Sequence, residues 1–284
     1  MIGRLIFSTV ACLLFWTVQA QADAPEQSAV TGEVRDRGHH DKVGATLWME
    51  TAEYDACARQ AYLVATIMLD RALKDPTWTA STEQAEAGPG HETRPPAIIL
   101  DVDETVLHNA SYQAQLMRVG KEFDRESWNS WCRSLSSHAI VGARRFCIEA
   151  MDLGVTPFYL TNRRDEVRTS TLENLRRQGF PLPDNGVTLI TNCGVTKTQR
   201  RAEIAEKYRI LMLLGDNMAD FTQASRSRPE DRVMAARQYA TWWGTRWIIL
   251  PNPVYGDWEN SLYGFDVNLT NPQVHEVRFK SLKP

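Results

Sequence analysis

The chain has 284 residues, 43% of them hydrophobic and 24% charged, with a formal net charge of −3. That suffices to bury a normal core, in one domain with an insertion or flanking lobe. The charge, with no dominant basic stripe, excludes a binder of nucleic-acid polymers. The pairs Arg163-Arg164, Arg176-Arg177 and Arg200-Arg201, scattered among acidic residues, read as helix-surface charge.

Residues 1–22 read as a signal peptide: Arg4, an apolar stretch from Leu5 to Val18, and an A-x-A cleavage pattern at Ala20-Gln21-Ala22. The stretch is too short for a membrane span, so the mature chain is expected to lack one and to be periplasmic or secreted. Lipid anchoring through Cys12 is the weaker alternative, because Leu13-Leu14-Phe15-Trp16 continue the apolar run past it. Residues 23–40 are polar and are expected to form a flexible leader. The remaining 41–284 form the domain, with a core from about 97 and a smaller helical lobe from 41–75 plus inserted and C-terminal segments.

Residues 47–73 are helical by period, with Ala58, Ala61, Tyr62, Ala65, Met68, Leu69 and Ala72 at three- and four-residue steps. Asp75-Pro76 ends that helix, and the Gly- and Pro-rich stretch 80–96 is an exposed loop. Apolar runs at 97–100, 155–160, 187–190, 210–214 and 247–250 then alternate with helical patterns near 143–153, 166–178, 198–207 and 230–239. This alternation predicts an α/β fold with a parallel sheet flanked by helices, whose ligand site lies beyond the carboxyl ends of the strands. Cys57, Cys132, Cys147 and Cys193 form no C-x-x-C pair, which leaves buried free thiols as the expectation and any disulfide pairing open.

The chemistry sits at those strand ends. Asp101 and Asp103 follow Ile98-Ile99-Leu100, placing two carboxylates at the mouth of the sheet, suited to attack on phosphorus and to handling the leaving-group proton. A calcium loop would need Gly at its sixth position, where Val106 stands. The second strand is followed by Thr161-Asn162-Arg163, the third by Lys197, and the fourth by Gly215-Asp216-Asn217 with Asp220 one turn later. Mg²⁺ between Asp101 and Asp216 would offset the charge of a phosphomonoester. Lys197 and the Thr161 hydroxyl would engage phosphoryl oxygens. No C-x₅-R, Arg-His-Gly or G-x₄-GK[ST] motif offers a rival phosphate chemistry.

The signatures Ile99-Leu100-Asp101-Val102-Asp103-Glu104-Thr105-Val106-Leu107-His108-Asn109 and Leu213-Leu214-Gly215-Asp216-Asn217-Met218-Ala219-Asp220 resemble those of the haloacid dehalogenase-like superfamily. Within it, the chain is similar to the class C bacterial acid phosphatases, some of them 5′-nucleotidases. The resemblance implies Asp101 as nucleophile through an aspartyl-phosphate, and Asp103 as general acid and base with its backbone carbonyl on the metal. It implies Asp216 as metal ligand and Asp220 as support for metal waters. It also places Tyr112, Trp128, Trp131 and Tyr255 at the entrance, where they would stack on a nucleobase beside the substrate-binding Thr161, Asn162 and Lys197. The substrate expected is a small phosphomonoester, with a homodimer left open. A non-catalytic storage or binding protein and a phosphotransferase are the alternatives.

Overall fold

A computed structural model describes residues 42–283. The expected signal peptide and leader lie outside the described residues. The single predicted first helix is two, α1 (Val43–Trp48) and α2 (Ala52–Lys74). Thr51 separates them: its hydroxyl donates to the Trp48 carbonyl at 2.7 Å and accepts from the Tyr54 N–H, capping α2. The predicted loop at 80–96 contains a short helix α3 (Thr82–Ala87), capped by the Ser81 hydroxyl.

Strand β1 (Pro96–Leu100) follows, then a two-residue strand β2 (Leu107–His108), helices α4 (Ala110–Val119) and α5 (Arg125–Ser134), and β3 (His138–Ala139), which pairs with β2. The chain continues through α6 (Ala143–Asp152), β4 (Thr156–Arg164), α7 (Arg168–Arg177), β5 (Leu189–Asn192), α8 (Lys197–Ala205), β6 (Arg209–Gly215), α9 (Pro229–Gln238) and β7 (Trp247–Ile249). It closes with α10 (Asp257–Asn260) and α11 (Asn271–Lys280).

Five strands form one parallel sheet in the order β5-β4-β1-β6-β7. Its middle strands, β1 and β6, are nearly continuous apolar runs, as strands covered on both faces must be. Side-chain alternation divides the core in two. Ile98 and Leu100 join α2 and α6 on one face, while Ala97 and Ile99 join Ile204, Ile210, Phe221 and Trp247 on the other. Helix α2, placed in the lobe from the sequence alone, packs on this sheet: Ala58, Tyr62, Ala65, Met68, Leu69 and Ala72 share a cluster with Ile98 and Leu100. Its Tyr62 hydroxyl also donates to the Thr105 carbonyl at 2.7 Å, tying the loop after β1 to the helix.

The thiols divide differently from expectation. All four in the described residues are free, but only Cys132 and Cys147 are buried, and burial pushes both up to about 12. Cys57 and Cys193 are exposed.

Ile98 is fully buried at the centre of the sheet. Ile98→Ala is therefore expected to lower the free energy of unfolding by about 2–5 kcal/mol, measured by urea denaturation.

Candidate active site

Asp101 begins where β1 ends, and its N–H still donates to the Leu214 carbonyl at 2.9 Å, so the neighbouring strand fixes its backbone. The loop then closes tightly. Val106 and Leu107 N–H groups both donate to the Val102 carbonyl, and Glu104 takes φ 56° while its N–H donates to the Leu107 carbonyl at 2.8 Å. A non-glycine residue in that region costs about 1–2 kcal/mol, offset here by contacts to its carboxylate. The Asn109 N–H and amide donate to Glu104, as does the Tyr255 hydroxyl. Burial, then the charge of Asp103, raise Glu104 well above the ordinary carboxylate range.

Lys197, the first residue of α8, is buried, although a lysine read alone is a surface residue. Its ammonium donates to Asp101 at 2.5 Å and to Asp220 at 2.6 Å. Burial alone would lower Lys197, but these two carboxylates outweigh it and raise its pKa. One carboxylate oxygen from each of Asp101, Asp216 and Asp220 lies within 4.8 Å of the others. Asp220 thus stands in the oxygen cluster itself. Asp216 also accepts from the Asn252 amide at 2.7 Å.

Three carboxylates facing one ammonium carry excess negative charge. Burial pushes Asp101 up to about 7 against the pull of Lys197, with Asp220 and Asp103 adding to the rise. Burial and the charges of Asp101 and Asp220 raise Asp216 well above its usual range. Such a set of hard oxygen donors fits a divalent cation, which would relieve the repulsion that raises these groups. Gly215 makes the cluster possible: a Cβ there would lie 2.3 Å from an Asp220 oxygen and 2.4 Å from its Cβ.

Asp103 turns to a different cation. Strand β4 runs past its predicted end to Arg164, and its alternation buries Thr161 and Arg163 while exposing Asn162 and Arg164. Arg163 donates to Asp103 from Nη2 at 2.7 Å and from Nε at 3.1 and 3.2 Å. Arg163, Arg200 and Arg201 are all buried, which corrects the surface reading of these arginines. Arg200 donates to the carbonyls of Thr161 and Thr191 and to Asn162 Oδ1, and Arg201 to the carbonyl of Asp220, so both brace site loops. The signal for Arg163 was its two-residue step from Thr161. Asn109, Glu104 and Asn252 carried no comparable signal.

The remaining predicted residues are placed as follows. Thr161 Oγ1 is buried and accepts from the Arg163 N–H at 3.0 Å. Tyr112, Trp128 and Trp131, expected at the entrance, instead form a buried cluster with Leu116, Cys132 and Val167, because α4, α5 and the turn leading into α7 enclose them. The Tyr255 hydroxyl is spent on Glu104. Beside Asp216, a cavity of about 470 Å³ is lined by Asn217, Leu250, Asn252 and Trp258, a residue 41% exposed.

Residues 22–258 match the family model described as HAD superfamily, subfamily IIIB (acid phosphatase). The chain belongs to this acid phosphatase family. It is 31% identical over 168 residues to acid phosphatase 1 of Solanum lycopersicum, an alignment spanning 55% of this chain and 57% of that relative. The fold matches the structure of the class C acid phosphatase from Bacillus anthracis, with a TM-score of 0.75 and 29% identity over 87% of this chain and 98% of that one. The same values hold for the tungstate-bound structure of that protein.

In this member of the acid phosphatase family the raised Asp101 has a signed consequence for stability. A carboxyl whose folded pKa is about 7 against 3.8 ordinarily is most stabilising when protonated, and that stability is lost as pH rises through the folded value. For metal-free protein, wild type should therefore lose stability relative to Asp101→Asn between about pH 4 and pH 8. Paired urea denaturations at the two pH values check this, and a saturating divalent cation should reduce the loss.

Proposed function

We propose that the chain is an exported, Mg²⁺-dependent acid phosphatase that hydrolyses small phosphomonoesters, nucleoside 5′-monophosphates among them, through an aspartyl-phosphate. The observation that carries this is the separation of two neighbouring aspartates onto different buried cations, Asp101 onto Lys197 and Asp103 onto Arg163. Adjacent carboxylates in different environments are suited to different roles.

Asp101 is the nucleophile: its oxygen bonds to phosphorus as the ester P–O bond breaks. Asp103 gives its proton to the departing alcohol oxygen. Water then attacks the aspartyl-phosphate, Asp103 takes back a proton, and the bond from phosphorus to Asp101 breaks to release phosphate. Asp101, Asp216 and the Asp103 carbonyl would hold Mg²⁺, with Asp220 beside them, and the ion would supply positive charge against the phosphoryl oxygens. Lys197 adds a second positive charge. Thr161 Oγ1, already accepting from the Arg163 N–H, keeps its own proton for a phosphoryl oxygen.

The nucleotide preference is supported by the cavity beside Asp216 and the exposed Trp258 that lines it. The volume falls in the range of small-ligand sites, and an exposed indole offers a stacking face. Export is supported by the layout of residues 1–22.

Phosphate release from a nucleoside monophosphate and from a small alkyl phosphate tests these points. Asp101→Asn should lower kcat by about a thousandfold or more on both, and chelation should abolish release until Mg²⁺ is restored. Trp258→Ala should raise KM for the nucleotide several-fold more than for the alkyl ester. No release by wild type would return the chain to a binding protein, and full activity in Asp101→Asn would sink the mechanism.

A further inference from the structure

Asp103 is held by two side chains, and each of these is itself held by a tryptophan of α5. The first link runs through Arg163. Its guanidinium donates to Asp103 and to the Thr171 hydroxyl, and its Cζ lies 5.3 Å from the ring centre of Trp128. The arginine side chain is fully buried, so it has no room to swing away.

The second link runs through Asn109. Its Oδ1 accepts from the Trp131 indole N–H at 2.9 Å and from the Ser137 hydroxyl at 2.6 Å. Two donors on that oxygen decide which way the amide faces. Its Nδ2 must then point the other way, where it donates to Asp103 Oδ1 at 2.9 Å. Asn109 is fully buried as well.

Both links converge on one oxygen. Asp103 Oδ1 receives Asn109 Nδ2, Arg163 Nη2 and Arg163 Nε, whereas Oδ2 receives only the longer Nε contact at 3.2 Å. We infer that Trp128 and Trp131 are positioning residues for proton transfer: through Arg163 and Asn109 they anchor Oδ1 and present Oδ2 as the oxygen that delivers the proton. The aromatic residues of α5 thereby act on the leaving group without touching the substrate. This deepens the phosphatase reading above and rests on it.

The dependence of rate on the leaving group tests it. An alkyl phosphate expels a strongly basic alkoxide and needs the acid, whereas p-nitrophenyl phosphate expels a weakly basic phenolate and needs it far less. Trp131→Phe keeps an aromatic ring, though a smaller one, and removes the N–H. Its kcat on ethyl phosphate should fall about three- to tenfold more than its kcat on p-nitrophenyl phosphate, with KM for both unchanged. Arg163→Met should show the same bias more strongly, approaching Asp103→Asn. Ser137→Ala removes the other donor to Asn109 Oδ1 and leaves only a small void, so it serves if Trp131→Phe melts early. Equal losses on the two esters, or no loss, in variants with wild-type melting temperatures would overturn the positioning role. A wild type that hydrolyses neither ester removes the phosphatase reading instead, and the two failures are therefore distinct.

Discussion

Like charges crowded at the end of a parallel sheet are the constraint on which the rest of this site depends. Asp101, Asp103, Asp216 and Asp220 are brought together by β1, β6 and the turn after Gly215, and none of them is fully exposed. A buried carboxylate without a partner costs several kcal/mol, so each must find a cation or a donor. Lys197 reaches Asp101 and Asp220, Arg163 takes Asp103, and Asn252 takes Asp216. The placement of α8, the length of β4 and the course of the chain after β7 all follow from supplying these partners. What they leave uncompensated, an excess of negative charge on oxygen atoms, is what a divalent cation would satisfy.

The fold was legible where burial is two-sided. Runs such as Ile210-Leu211-Met212-Leu213-Leu214 have no polar face, and that identifies a covered parallel strand without further help. The strand ends then indicated Asp101, Asp103, Lys197, Asp216 and Asp220 as members of one site. The short elements were not legible. Helices α1 and α3 are six residues each, too brief to build a period, and they stand because Thr51 and Ser81 bond to the backbone around them.

Arg163 was misread for a physical reason. A charged residue in isolation belongs in water, and the partner that justifies its burial lies 60 residues away. Only the extension of β4 by one more alternation puts Arg163 on the face of Thr161. Trp131 was misread in the same way, since its partner Asn109 is 22 residues distant. Large aromatic residues near a site suggest contact with a ligand. Here their polar edges and ring faces are occupied by the groups that hold Asp103.

The buried cations on Asp101 and Asp103 differ in kind, and the difference matches the tasks proposed for these carboxylates. An ammonium is a compact point charge on a flexible stem, able to share itself between two carboxylates and to follow an oxygen that changes its bonding. That suits the role proposed for Asp101, whose oxygen would have to be freed to attack phosphorus while Asp220 keeps Lys197 in place. A guanidinium is a planar fork with fixed donor directions. That suits the role proposed for Asp103, which would have to keep its orientation while its proton leaves and returns. Exchanging the two cations would conserve the charge of the site and still mismatch both tasks, because a rigid fork on Asp101 resists its movement and a lysine opposite Asp103 fixes no direction.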